Sequence, residues 1–189
     1  MTRPQEPLSE AGRETSWTRG DWMQTFTGRR FYPLDPRPDE IDPEDIAHAL
    51  SLLCRYGGHV DRFYSVAEHC VLMSQAVPPE HALAALLHDA TEAYVVDVPR
   101  PLKRQLSDYR DIEEQVWFAI AFRYGLDFTL PQSVKDADNR ILLTERAALL
   151  SRAEPWHSLD DYTPLPVQIE GWAPVRAEAR YLARLEELR

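Results

Sequence analysis

The run EHALAALLHDATEAYVVDVPRPLK, residues 80–103, constrains this chain more than any other segment. Its Ala–Leu stretch has the composition of a helix buried deep in a core. Yet the helix delivers His88 and Asp89 side by side, with Glu92 and Asp97 shortly after. Burying such groups unpaired costs several kcal/mol each, so a fold that accepts this segment must supply partners for it. Glu92 follows His88 by four residues and Asp89 by three, which places it on the same helical face. Adjacent helical residues diverge by about 100°, so His88 and Asp89 meet one centre only if it lies over the edge between them. Imidazole with carboxylate is a donor set for a divalent cation such as Mn²⁺, Co²⁺, Fe²⁺, Zn²⁺ or Mg²⁺. A reading without metal also stands at this point: His88 caps a partner helix and Asp89 pairs with an arginine.

The rest of the chain reads as helical, with one exception near the start. WMQTFTGRRFYPLDP is rich in aromatics and Thr around Gly28 and predicts a short β-hairpin over 23–27 and 29–32, ended by Pro33 and Pro36. Asp42 and Pro43 open a helix with an apolar stripe at Ile46, Leu50, Leu53 and Cys54, and Gly57 suits its exit. Ser65 and Glu68 form a capping box that sets His69 in the first turn of the next helix, which Pro78 and Pro79 stop. The segment 80–94 is the most apolar helix and is expected to be central. Further helices are expected up to Gly125, over LPQSVKDADNRILLTERAALLSR and over the closing APVRAEARYLARLEELR, while 154–171, with three prolines, reads as a surface excursion. The expectation is an all-α fold with a small N-terminal hairpin. A loose segment spans 1–20 and one domain spans 21–189, with its core over 43–152 and a C-terminal helix over 172–188.

Composition narrows the partners. The 189 residues suit one domain, and a hydrophobic share of 44% with 28% charged is that of an ordinary globular chain. A formal charge of −10 argues against binding long nucleic acid through its phosphates. It leaves room for a small anionic substrate, because a local basic pocket or a metal overrides the global field. Cys54 and Cys70 are too few for a disulfide framework and suit a reducing cytoplasm. No apolar leader and no run long enough to span a bilayer occurs, so neither secretion nor membrane insertion is expected.

A histidine taken alone is more often structural than ligating, and His48, His81 and His157 are read that way. His59, in the glycine loop RYGGHVDRFY, is kept as a pocket candidate. Trp22 and Trp117 are read as packing residues. Cys70 lies beside His69 but points about 100° away from it, so it belongs to the core.

With His69 in YSVAEHC and Asp138 in VKDADNR, the chain carries the pattern H…HD…D. This resembles the HD-domain metal-dependent phosphohydrolases, over roughly residues 22–150. LLHDATEAYVVDVPRPLK is similar to the block of the family's nucleotidase branch, and one departure is Val96, where many members carry Gly before the Asp. The resemblance implies an HD-domain helical bundle in which His69, His88, Asp89 and Asp138 ligate one divalent cation (Mn²⁺, Co²⁺, Zn²⁺ or Mg²⁺). It implies further that Glu92 orients or deprotonates the attacking water and that Asp97 positions the water or assists the leaving oxygen. TGRRFYPLDP matches the segment that reaches over the family's pocket, which makes Arg30 a phosphate contact and Phe31 a stacking partner for the base. Lys103 and Arg62 are further phosphate candidates. The implied activity is hydrolysis of the 5′-phosphoester of deoxynucleotides, leaning to a dATP or dNTP triphosphohydrolase, with a 5′-deoxynucleotidase acting on dNMPs as the alternative. A metal-containing binding module without turnover is the reading from another class. The family also leads one to expect a homo-oligomer.

Overall fold

Helix α2, Val66–Ala76, is enclosed on every side: all nine residues from 66 to 74 are buried, the polar Glu68, His69 and Ser74 among them. It therefore shares the central position expected for 80–94 alone. The computed structural model that shows this describes residues 19–152, 154 and 156–189. The chain enters through a two-stranded antiparallel ribbon, β1 (Met23–Gln24) and β2 (Arg30–Phe31), with Met23 opposite Phe31 and Gln24 opposite Arg30. The ribbon is shorter than the sequence predicts, because Thr25 and Gly28 close the turn between them by backbone hydrogen bonds.

The remaining elements are α1 (Pro43–Leu52), α2, α3 (Ala82–Leu87), α4 (Glu92–Val95), α5 (Arg100–Lys103), α6 (Ser107–Tyr124), α7 (Gln132–Leu149) and α8 (Pro174–Glu187). The architecture is mostly helical with one small sheet. Asp42 caps α1 through Glu44 N–H, and Gly125, at φ 67°, ends α6 in the left-handed conformation that glycine tolerates. The first helix stops at Leu52, earlier than Gly57: Cys54 and Ser65 form a β-bridge, and the chain turns through a 3₁₀ segment, Arg55–Gly58.

One apolar cluster joins Phe31, α1, α2, α3, α6 and α8. A second joins α2 and α3 to Val134, Ala137 and Ile141 of α7 and to Leu165 and Ile169. The ribbon is pinned to α1, where Asp45 accepts from Thr27 N–H at 2.7 Å and from Thr27 Oγ1 at 3.0 Å, and where Phe26 stacks on His48 at 3.6 Å. Arg19 ties the entering chain to Asp35 and Glu40 and lies over the Tyr32 ring. The loose segment expected over 1–20 otherwise falls outside the described residues. Trp117 packs as expected, but Trp22 does not: it is 41% exposed and carries Arg30 against its ring.

The stretch 154–171 is a packed strap and only partly a surface excursion, since Leu159, Leu165 and Ile169 are buried. Half of the expected capping box explains why. Ser65 accepts from Glu68 N–H, but the Glu68 carboxylate turns away to accept the backbone N–H groups of Glu170, Gly171 and Trp172 at 2.9, 3.0 and 2.5 Å. Glu68 is wholly buried, so these bonds replace its hydration and fasten the strap to α2. Replacing Glu68 with glutamine, which presents a neutral amide oxygen and no second acceptor, is expected to cost about 1–3 kcal/mol in urea unfolding. A loss within the error of the titration would show that the strap is held by its apolar contacts alone.

Candidate metal centre

Three chain segments converge on one point. His69 comes from the first turn of α2, His88 and Asp89 from a break between α3 and α4, and Asp138 from α7. The break corrects the expectation of one continuous helix over 80–94. Ala90 N–H bonds to Leu87 O, and Glu92 N–H to Asp89 O, so the chain tightens to three-residue spacing. Three-residue spacing does not by itself bring neighbours together, so the centre lies over the edge between His88 and Asp89, whose Nε2 and Oδ1 are 3.2 Å apart.

Each imidazole is held from behind. His88 Nδ1 donates to Ala85 O at 2.8 Å, which turns Nε2 inward toward Asp89, where it would offer a lone pair to a cation after giving up its own proton. His69 Nδ1 donates to Glu145 Oε1 at 2.6 Å, which leaves its Nε2 inward as well. The two Nε2 atoms are 3.3 Å apart. Asp89 Oδ2 lies 3.5 Å from His69 Nε2, Asp89 Oδ1 lies 3.2 Å from His88 Nε2, and Asp138 Oδ1 lies 3.7 Å from His69 Nε2. Positive charge holds these groups together: Arg55 at Asp89, Arg100 at Asp138 and the raised His88 supply it in the free chain, and a divalent cation could supply it at their centre. A divalent ion bonded at about 2.0–2.2 Å separates neighbouring ligand atoms by about 3.0–3.5 Å; three of the four spacings here fall in that range and the fourth, His69 to Asp138 at 3.7 Å, lies just beyond it. The donor set fits the cation.

His69, His88 and Asp138 form one ligand-competent group, and Cys70, His88 and Asp89 another. The set without the cysteine is the better one. Burial, only partly opposed by His88, pushes the Cys70 thiol up to about 11, and its sulfur meets His88 at Nδ1, on the side away from the cluster. Cys70 is a core thiol, as its helical position predicts.

Behind the ligands lies a buried ionic layer that the sequence reading passes over. Glu145 is wholly buried; besides His69 it accepts from Tyr56 OH at 2.5 Å and from Arg55 Nε at 3.3 Å. Burial opposes its charge, but Arg55 and His69 together hold its carboxyl down at about 2. Arg55 also reaches Asp89 Oδ2 at 3.3 Å, so the metal-free reading of Asp89, as partner of an arginine, is realised alongside the cluster. Asp89 is kept well below the usual carboxylate range, burial being outweighed by His88, His69 and Arg55. The same pairing raises His88: its burial favours the neutral ring, yet the charge and hydrogen bond of Asp89 prevail. A signal for Glu145 was present, since it lies seven residues, two helical turns, beyond Asp138 on α7. For Arg55 there was none, because a charge in a glycine loop reads as exposed.

Glu92 sits beside the cluster, 7% exposed, and its Oε2 has no hydrogen-bond partner among the described residues. Burial first, then the charges of Asp89 and Asp97, push its carboxyl up to about 9. A buried, unpartnered carboxyl is costly unless a task or a ligand justifies it. Asp97 follows Val96, which holds φ 67° and ψ 156°, a backbone region that β-branched residues avoid. Valine thus occupies a conformation that glycine would adopt without a Cβ penalty. Val96→Gly is expected to raise stability by about 1 kcal/mol, the relief of roughly 1–3 kcal/mol of strain less the entropy that glycine adds to the unfolded chain. A thermal midpoint that falls in this variant would contradict the strain.

The remaining sequence candidates are placed as follows. Phe31 is fully buried and stacks on Tyr94 at 4.1 Å; no ring face is left for a base, so it is a core residue. Arg62 donates to Ala148 O in the last turn of α7 and to Ile169 O in the strap and ties the two together, so it is not a phosphate contact here. Lys103 is paired with Glu113 at 2.5 Å. Arg30 is exposed against Trp22. His48, His81 and His157 have local partners in Glu178, Ser133 and Asp160. His59 lines an open cavity of about 400 Å³ with Asp61, Arg152 and Trp156, a cavity not lined by any of the four ligands.

Fold and site together define a mostly helical protein in which His69, His88, Asp89 and Asp138 converge and which contains His/Asp groups that could hold a metal ion. The chain is 42% identical over 169 residues to the uncharacterized protein YfdR of Escherichia coli K12, covering 88% of this chain and 95% of that protein. It is 33% identical over 184 residues to the uncharacterized protein RCAP_rcc00048 of Rhodobacter capsulatus, covering 86% and 93%. The chain belongs to the family these two proteins represent. No protein-family model matches it.

Proposed function

We propose that the chain is an HD-type, divalent-metal-dependent phosphohydrolase that cleaves the 5′-phosphoester of deoxynucleotides. The observation that carries this reading is the pair of histidines with both outer nitrogens tied down and both inner nitrogens turned on Asp89 and Asp138, next to an orphaned glutamate. His69, His88, Asp89 and Asp138 would hold the cation; the chemistry it supplies when bound is polarisation of a phosphoryl oxygen and acidification of water. Glu92, once ionised, would accept the proton of the attacking water at its carboxylate oxygen. Burial and the charges of Asp89 and Asp97 keep its carboxyl protonated near neutral pH in the free chain, and the positive charge that ionises it would come from the bound cation. Asp97 holds the water in line. Glu145 fixes the tautomer of His69, and Arg55 offsets the charge of Asp89. Phosphorus–oxygen cleavage by water adds one water molecule and needs no redox partner.

Release of triphosphate from a dNTP is the first candidate reaction, and release of orthophosphate from a dNMP the second. With Phe31 in the core, base selectivity must come from residues other than that ring. A small anionic substrate is compatible with the charge of −10 only where a local cation offsets it, and two free cysteines accord with a reducing compartment. No helix among the described residues is long and apolar enough to cross a membrane. The test is to incubate the protein with Mn²⁺, Co²⁺ or Mg²⁺ and a panel of dNMPs, dNDPs and dNTPs, and to separate products by ion exchange. Triphosphate or orthophosphate identifies the reaction. No product with any metal supports a binding module in its place.

A further inference from the structure

Arg100 stands where the sequence-derived phosphate candidates do not. Lys103, Arg62 and Arg30 are engaged elsewhere, and Arg55 is sealed between Asp89 and Glu145 with its side chain 10% exposed. Arg100 Nη2 donates to Asp138 Oδ2 at 3.0 Å, while Oδ1 of the same carboxylate faces His69 Nε2 at 3.7 Å. One carboxylate therefore joins the cluster to an arginine whose side chain is 56% exposed. Among the described residues Arg100 makes only one other side-chain hydrogen bond, a long one to Asn139 Oδ1 at 3.5 Å, so donors of its five-N–H fork remain free. Pro99 and Pro101 bracket it and restrict the backbone on both sides. The surroundings are acidic: Asp89, Glu92, Asp97 and Asp138 crowd the centre of a chain that is itself strongly negative. An anionic substrate entering there meets repulsion unless a cation at the mouth offsets it.

We propose that Arg100 is an anion-binding residue of this centre, taking a non-bridging phosphoryl oxygen with one edge of its guanidinium while the other edge holds Asp138. The inference rests on the phosphohydrolase reading for its substrate. A planar fork with several donors can serve carboxylate and phosphate together, whereas a lysine offers a single point charge.

The test titrates inorganic phosphate calorimetrically into the Co²⁺-saturated protein, with Arg100→Ala and Arg100→Lys compared under the same saturation. Removing a charge-assisted bond is expected to weaken phosphate binding about tenfold or more in Arg100→Ala, with part of the affinity recovered in Arg100→Lys. Because the metal is saturating in every sample, loss of the Asp138 tether alone would leave phosphate affinity unchanged, and that result overturns the proposal. So does an unaltered protein that binds no phosphate. The product panel fails independently: phosphate binding that depends on Arg100 with no nucleotide hydrolysed removes the phosphohydrolase reading and keeps the anion site. Hydrolysis with unchanged phosphate affinity in Arg100→Ala does the reverse.

Discussion

Replacing Glu92 with glutamine is expected to slow the proposed hydrolysis by about 10²–10⁴-fold, the usual worth of a positioned general base. Divalent-cation affinity should stay close to that of the unaltered protein, because Glu92 is not in the ligand set. The same change should make the metal-free protein more stable at high pH. A carboxyl raised from 4.5 to about 9 is protonated in the folded state and ionised in the unfolded one over the interval between. Its contribution is fully present below about 4.5 and is lost as pH rises through 9, so the unaltered protein pays an increasing penalty across that window. Glutamine removes the penalty. Single-turnover rates and urea midpoints at pH 5 and pH 8.5 read both effects. Near-normal rates would take the proton-accepting role from Glu92, and a pH-independent stability difference would take away its raised affinity for protons.

Glu145 carries the second large effect. Glu145→Ala leaves Arg55 with Asp89 alone and frees the His69 ring, and uncovering one partner of a buried ionic layer costs about 3–5 kcal/mol. Loss of the group that orients a ligand histidine should also weaken divalent binding by about 10–100-fold. The sign with pH is opposite to that of Glu92. A carboxyl depressed from 4.5 to about 2 contributes stability above 4.5 and loses it as pH falls through 2. Over that interval the unaltered protein should therefore lose about 3 kcal/mol of advantage over Glu145→Gln. Equal acid sensitivity of the two proteins would mean that Glu145 is not held ionised by Arg55 and His69.

Those two residues also mark how much of the molecule can be read from its letters. Glu92 is legible because it shares a helical face with the His–Asp pair. Glu145 is legible only in part: its spacing from Asp138 puts it on the same face of α7, but its bond to His69 depends on how far α7 lies from α2, a tertiary distance. The same holds for Glu68, whose spacing to Ser65 signals a capping box but whose carboxylate is claimed by the backbone of 170–172. Helix starts and stops at Asp42, Ser65 and Gly125 follow local chemistry and agree with expectation. The break at 88–91 does not, because Ala and Leu promote helix on both sides and the interruption serves side chains that converge from other elements. Phe31 shows the opposite limit. An aromatic next to an arginine in a ribbon fits a base-stacking lid or a core anchor equally well in sequence, and only packing against Tyr94 separates them.

The central claim is that His69, His88, Asp89 and Asp138 form one divalent-cation site. Calorimetric titration of Mn²⁺ into the metal-free protein at neutral pH, repeated in buffers of different ionisation enthalpy, tests it most directly. The account predicts one ion bound per chain with release of a proton from the His88–Asp89 pair, and loss of that binding in Asp89→Ala. Binding of the same stoichiometry and affinity in Asp89→Ala, or no binding to the unaltered protein, would contradict it.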